Sequence, residues 1–71
     1  MNKIELRTEY ITLGQLLKIA DIINSGGEAK YYLEENKDYI FVDGVNEFRR
    51  GKKLYKGTIV KIHNLEFLMV W

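Results

Sequence analysis

The 71-residue sequence contains no cysteine and no proline, and only one histidine. Without cysteine the chain can form no disulfide bond, no thiolate metal site and no cysteine nucleophile. The single histidine, His63, argues against a zinc site, because nothing else in the chain supplies a nitrogen or sulfur ligand. The longest apolar run, residues 67–71, is far shorter than the roughly 20 residues of a membrane span. We therefore expect no metal site and no membrane partner.

The composition indicates a folded domain. Hydrophobic residues make up 46% and aromatic residues 13% of the chain, which is too apolar for intrinsic disorder. A chain of this length has room for one small core. Charged residues occupy positions 3, 5, 7 and 9, where a signal peptide would need an apolar stretch. We expect a single cytoplasmic domain spanning residues 1–71.

Charge is distributed unevenly along the chain, although the formal net charge is only +1. Residues 48–65 contain six lysines and arginines and no acid, so their net charge is +6. The remaining residues hold five bases and ten acids, a net charge of −5. Such polarity is typical of a face that binds a polyanion. The alternative is a solvated, lysine-rich edge that prevents aggregation between sheets.

Two short helices are predicted in the first half of the chain. Thr12 and Gln15 match a capping box, and leucines at helical spacing follow them. Ser25 and Glu28 form a second capping-box candidate after a break in the pattern. The few residues between the helices require a sharp turn. The expected bounds are residues 13–23 for the first helix and an end near Asn36 for the second.

Strands are predicted on both sides of the helix pair. Alternation of apolar and charged residues predicts a strand over residues 3–10, with Tyr10 on its apolar face. Residues 39–42 form a short apolar run that ends at the turn dipeptide Asp43-Gly44. The last two strands are expected at residues 58–62 and 66–71, joined around His63-Asn64. The fold class is α+β, with the helix pair beside a small antiparallel sheet.

The chain shows no catalytic constellation. Ser25 is the only serine and is expected to cap a helix, while His63 lies between two predicted strands without a carboxylate at a suitable spacing. Glu34, Glu35 and Asp38 could suggest a metal site, but a solvated acidic face explains them better. We therefore expect a protein that is not an enzyme and uses no cofactor or small-molecule substrate.

The junction Ser25-Gly26-Gly27 has two interpretations. Glycine suits a tight turn that needs positive φ and close backbone approach. Alternatively, the glycines expose backbone N–H groups that can bind a phosphate oxygen, with Lys30 one turn into the helix as a second ligand. Glu28 adds a negative charge there.

Four bases in five residues form a polar segment, which we call the basic loop (residues 49–53). A glycine at its centre allows the loop to follow a phosphate backbone, and arginine grips phosphate bidentately. Tyr55 and Tyr31 lie near basic residues in the sequence. Their rings could stack on nucleotides, or could pack in the core or at its rim. The loop bases are Arg49, Arg50, Lys52 and Lys53, with Gly51 between them.

Four blocks of the sequence together match a known pattern. They are Thr12 to Lys18, Ser25 to Lys30, Val42 to Gly44, and Arg49 to Leu54 with Gly57. In order and spacing they resemble the S4-like RNA-binding domain, and more narrowly its stand-alone, YaaA-like bacterial branch. The similarity extends from about Ile4 to Ile62. It implies an S4-like (αL motif) fold in which a helix pair packs on a small, strongly bent antiparallel sheet.

The resemblance also implies a partner and a set of contact residues. The partner is structured RNA, either ribosomal or transfer RNA, and by extension the ribosome. Many S4 domains have an arginine directly after the serine, where this chain has Gly26, so the basic loop is expected to carry more of the contact. The implied RNA-binding residues are Thr12, Gln15, Ser25, Gly26, Gly27, Lys30, Arg49, Arg50, Lys52 and Lys53.

Two other functions remain open from the sequence. The short turn between the helices resembles a helix-turn-helix DNA-binding unit, but the second helix carries Glu34 and Glu35 and the basic loop lies outside it. A protein-interaction adaptor is the other alternative, in which the apolar residues 67–71 dock a partner instead of filling the core.

Overall fold

Two helices and seven short strands make up the fold in a computed structural model that describes residues 1–71. A 3₁₀ turn, Gly26–Glu28, precedes the second helix, and another, Lys37–Tyr39, follows it. Neither helix is long and apolar enough to cross a lipid bilayer. In chain order the elements are β1 (Asn2–Glu5), β2 (Tyr10–Thr12), α1 (Leu13–Ile19), α2 (Ala29–Glu35), β3 (Ile40–Val42), β4 (Val45–Asn46), β5 (Lys53–Tyr55), β6 (Ile59–Ile62) and β7 (Leu65–Val70).

The strands form one mixed sheet and one separate ribbon. Five strands pair in the order β1-β7-β6-β3-β4, and β2 pairs with β5 in an antiparallel two-stranded ribbon. β1 runs parallel to β7, with Ile4 opposite Met69, whereas the other pairs of the large sheet are antiparallel. The α+β class is therefore confirmed, but the sheet is mixed. A parallel pair needs a long connection, and here almost the whole chain separates β1 from β7.

The predicted strand over residues 3–10 is two strands in different sheets. Its first half is β1, and its last residue, Tyr10, begins β2 of the ribbon. Similarly, Lys53 of the basic loop is the first residue of β5. The helix pair and the large sheet share one core of 15 buried apolar residues. Phe67 and Met69 of β7 belong to it, whereas Leu68 and Val70 are only partly buried and Trp71 is 62% exposed.

The ends of α1 follow from local hydrogen bonds. The Gln15 backbone N–H donates to Thr12 Oγ1 at 3.2 Å, and the Thr12 N–H donates to Gln15 Oε1 at 2.8 Å, so the predicted capping box is confirmed. The helix ends at Ile19, four residues before the predicted end. Asp21 adopts a left-handed conformation (φ 62°) that stops the helix. Ile23 is buried outside the helix.

The start of α2 differs from its prediction. The Ser25 side chain makes no capping hydrogen bond, and its carbonyl oxygen instead accepts the Glu28 N–H at 3.1 Å within the 3₁₀ turn. Gly26 and Gly27 do not have positive φ, and no atom lies within 4 Å of the position of a Gly26 Cβ. The interpretation that these glycines serve a turn that needs positive φ and close backbone approach is therefore wrong. The predicted end is confirmed, since Asn36 caps α2.

Candidate nucleic-acid interface

The basic loop is fastened to the start of α1 by its backbone. The first N–H groups of a helix have no partner within the helix. Here the Leu13 N–H donates to the Lys52 carbonyl at 2.8 Å, and the Gly14 N–H donates to the Arg50 carbonyl at 2.9 Å. Within the loop, the Lys52 N–H donates to the Arg49 carbonyl at 3.1 Å. The loop backbone therefore has a defined position, with Arg49, Arg50 and Lys53 exposed and Lys52 partly buried.

Gly14 allows the loop and both helices to approach closely. A Cβ added at Gly14 would lie 3.4 Å from the Cβ and the carbonyl oxygen of Arg50, and 3.5 Å from the Ala29 Cβ. A larger side chain would need the space that the Arg50 backbone occupies. Glycine weakens a helix relative to alanine, but at this position it keeps the loop against α1.

A groove of about 380 Å³ lies between the two helices and the loop, and we call it the helix groove. It brings together four of the predicted contact residues, which come from three segments of the chain. It also contains Lys18, which the sequence interpretation missed although it is three residues after Gln15, a spacing that places both on one helix face. The lining residues are Thr12, Gly14, Gln15, Lys18, Gly26, Ala29, Arg50 and Gly51.

A second groove, of about 520 Å³, meets the first at Gly51, and we call it the loop groove. Three of its five lining residues are cationic, and all three belong to the basic loop. The four basic side chains of the loop therefore lie on adjoining surfaces of the two grooves. The residues that line the loop groove are Arg49, Gly51, Lys52, Lys53 and Tyr55.

Arg49 is the one base of the loop that forms an ion pair. Its Nε and Nη2 donate to the two carboxylate oxygens of Glu47, each at 2.9 Å, and its backbone N–H donates to Glu47 Oε2 at 3.0 Å. These hydrogen bonds lower the pKa of the Glu47 carboxyl to about 2, outweighing the opposite effect of its burial. The same contact raises the pKa of Arg49. Glu47 directly precedes residues 48–65, which contain no acid, so the net charge of that range did not reveal this ion pair.

The ribbon presents an aromatic pair beside the loop groove. Tyr10 lies opposite Tyr55, and Thr12 lies opposite Lys53, so these four side chains share one face. The tyrosine ring centroids are 5.7 Å apart and the rings are tilted by 51°. Lys53 Nζ lies 4.9 Å from the centroid of Tyr10. Tyr55 is 44% exposed, so it does not fill the core.

Comparison with known proteins decides the family. A sequence model described as the S4 domain matches residues 4–70. The chain belongs to the S4 domain family. It is also 51% identical over 61 residues to the "Probable ribosome maturation protein RlbA" of Bacillus subtilis (strain 168), an alignment that covers 86% of this chain and 83% of the relative. The resemblance to the S4-like domain is therefore confirmed.

Three predicted contact residues lie outside both grooves of this S4 domain. Ser25, Gly27 and Lys30 are exposed but line neither the helix groove nor the loop groove. Of the predicted residues at the start of α2, only Gly26 contributes to a groove. Tyr31 is 69% exposed and lines a separate groove with residues of α2 and the segment after α1. The two tyrosines that the sequence could not distinguish thus differ in position.

The residues considered for catalysis or metal binding lie apart from the grooves. His63 occupies the turn between β6 and β7, as predicted, with its Nε2 2.8 Å from Asn36 Oδ1 and its ring stacked on Tyr39. No three histidine, aspartate or glutamate side chains are placed to hold a metal ion together. Neither the helix groove nor the loop groove is lined by an acidic residue.

Proposed function

We propose that this S4 domain, a single unit spanning residues 1–71, is a non-catalytic cytoplasmic module that binds structured RNA. One observation carries the proposal: the backbone of the basic loop is hydrogen-bonded to the start of α1. That attachment holds Arg50 in the helix groove beside Gln15 and Lys18. Family membership supports RNA as the polyanion.

The side chains of the helix groove suit the sugar–phosphate backbone of an RNA helix. A-form RNA exposes phosphates and 2′-hydroxyls across its shallow minor groove. The Arg50 guanidinium can donate to phosphate bidentately and Lys18 supplies a point charge. Gln15 Oε1 accepts the Thr12 N–H, so its amide NH₂ remains free to donate to a phosphate or a 2′-hydroxyl.

The loop groove extends this surface with Lys52 and Lys53. Arg49 contributes less, because Glu47 takes two of its five guanidinium donors and compensates its charge. Ser25, Gly27 and Lys30 adjoin Gly26 along the chain and form the margin of the surface on the α2 side. From strongest to weakest, the proposed RNA contacts are therefore made by the basic side chains of the loop that form no ion pair, by the start of α1, and by the start of α2.

Ribosomal RNA is the first choice among structured RNAs, with transfer RNA second. The Bacillus subtilis relative carries the name of a ribosome maturation protein, and its identity to this chain is 51% over most of both sequences. We therefore propose ribosomal RNA, bound during assembly of the ribosome, as the ligand of this S4 domain. The helix-turn-helix alternative is less favoured, because the basic loop is attached to α1 and α2 carries exposed Glu34 and Glu35.

The test is RNA binding by a variant with Arg50, Lys52 and Lys53 replaced by alanine. Contact with three to five phosphates predicts a log–log slope of affinity against salt of roughly −2 to −4 for the unmodified protein. The variant should bind a ribosomal hairpin much more weakly and with a shallower slope. Duplex DNA of the same length should compete poorly. Crosslinking in cells followed by sequencing would then identify the RNA.

A matched control carries the same loss of charge elsewhere on the surface. Replacing Lys3, Lys37 and Lys61 by alanine removes three exposed bases that lie outside both grooves. This control should retain most of the affinity. Equal losses in both variants, or binding that does not respond to salt, would contradict the proposal.

A further inference from the structure

The aromatic pair of the ribbon is placed where an RNA bound in the loop groove could reach it. Tyr55 lines that groove together with Lys52 and Lys53. Its side chain is 44% exposed although the domain has a small core that aromatic side chains could fill. Tyr10, directly opposite in the ribbon, supports the Tyr55 ring from one side.

The arrangement of the two rings leaves a surface available on Tyr55. Lys53 Nζ covers a face of the Tyr10 ring at 4.9 Å. The 51° tilt between the rings means that they do not form a closed parallel stack. A planar group of a ligand can therefore lie against Tyr55 while Lys53 neutralises a negative charge beside it.

A base stacked on Tyr55 must come from an unpaired nucleotide. Bases inside a continuous helix stack on one another and offer no free face, whereas unpaired bases can lie on aromatic side chains. Cations next to the ring would meet the phosphate of that nucleotide. The loop groove thus offers an aromatic ring to the planar base of an unpaired nucleotide and cations to its charged backbone.

We propose that Tyr55, supported by Tyr10, stacks on an unpaired base, so that this S4 domain recognises an RNA helix at a bulge or helix end. The inference rests on the proposed function and adds a preference among structured RNAs. Phosphate contacts in the two grooves hold the helical part, and Tyr55 reads the interruption.

The experiment compares two hairpins with the same stem, one fully paired and one with a single bulged adenosine. The unmodified protein should bind the bulged hairpin at least about fivefold more tightly, the range expected for one base–aromatic stack. Tyr55→Leu keeps an apolar side chain without a ring, and it should lose this preference, because its affinity should fall more for the bulged hairpin than for the paired one. Tyr55→Phe should retain the preference. Tyr31→Leu, at an exposed tyrosine outside both grooves, is the matched control and should behave like the unmodified protein.

A second measurement remains informative if Tyr55→Leu fails to fold. With 2-aminopurine at the bulge, stacking on the tyrosine should lower its fluorescence when the unmodified protein binds. Equal affinity for both hairpins, or an equal loss for both in a folded Tyr55→Leu protein, would overturn the stacking proposal and leave RNA binding intact. Failure of the unmodified protein to bind either hairpin would instead overturn the proposed function.

Discussion

Replacing Glu47 by glutamine should change stability and RNA affinity in opposite directions. Glu47 accepts three hydrogen bonds from Arg49, and its side chain is only 11% exposed. Glutamine keeps one acceptor oxygen but loses the negative charge. We therefore expect a less stable fold whose basic surface binds RNA more tightly.

The pH dependence of unfolding isolates the contribution of this carboxylate. The contact with Arg49 lowers the pKa of Glu47 from 4.5 to about 2. A carboxyl whose pKa is lower in the folded state stabilises the fold above its unfolded pKa and loses that contribution as the pH falls through the folded value. The difference in urea midpoint between the unmodified protein and Glu47→Gln should therefore be full near pH 6 and should vanish toward pH 2.

The gain in affinity follows from removing a charge that repels phosphate. Two unit charges about 7 Å apart in water interact by about 0.6 kcal/mol, which corresponds to roughly a threefold change in affinity. Salt screens part of this effect. Glu47→Gln should thus bind a hairpin RNA about twofold to threefold more tightly at low salt, because Arg49 also becomes free to contact phosphate.

Glu66→Gln is the matched control, since Glu66 is exposed on β7, forms no ion pair and lies outside both grooves. It makes the same change in net charge without removing an ion pair, and it should change the urea midpoint at pH 6 less than Glu47→Gln does. A Glu47→Gln protein that binds RNA more weakly, or that is as stable as the unmodified protein at pH 6, would refute this account of the pair.

Two further predictions concern backbone positions. Gly14→Ala should change the free energy of unfolding by no more than about 1 kcal/mol, because its Cβ meets Arg50 at 3.4 Å; Gly14→Val should destabilise by about 1–3 kcal/mol by overpacking and weaken RNA binding. Urea denaturation measures the change in stability, and titration with a hairpin RNA measures the change in binding. A Gly14→Val protein that binds RNA with unchanged affinity would contradict the close approach. Asp21→Gly should raise the free energy of unfolding by up to about 1 kcal/mol, because φ is 62° there. A lower melting temperature would exclude strain at Asp21.

Features specified by neighbouring residues were readable from the sequence. The capping box at Thr12 depends on a residue three positions away, so the start of α1 was predicted correctly. Asp43 and Gly44 both have positive φ, as a tight hairpin turn requires, and the sequence marked them as a turn. The similar pattern at Ser25 does not form a capping box. The Ser25 side chain makes no capping hydrogen bond, and its carbonyl oxygen accepts the Glu28 N–H within a 3₁₀ turn.

The sequence by itself determined the α+β class, the two helices and the concentration of basic residues at positions 49–53, because these depend on short-range pattern and composition. Its four blocks also carried the resemblance to the family. Only the tertiary structure decided the parallel pairing of β1 with β7 and the position of Tyr10 on the outer face of the ribbon. It also decided that Lys18 shares a groove with Arg50 while Arg49 is taken by Glu47. Strand partners, groove neighbours and ion pairs depend on where the folded backbone brings each side chain, which short-range pattern does not specify.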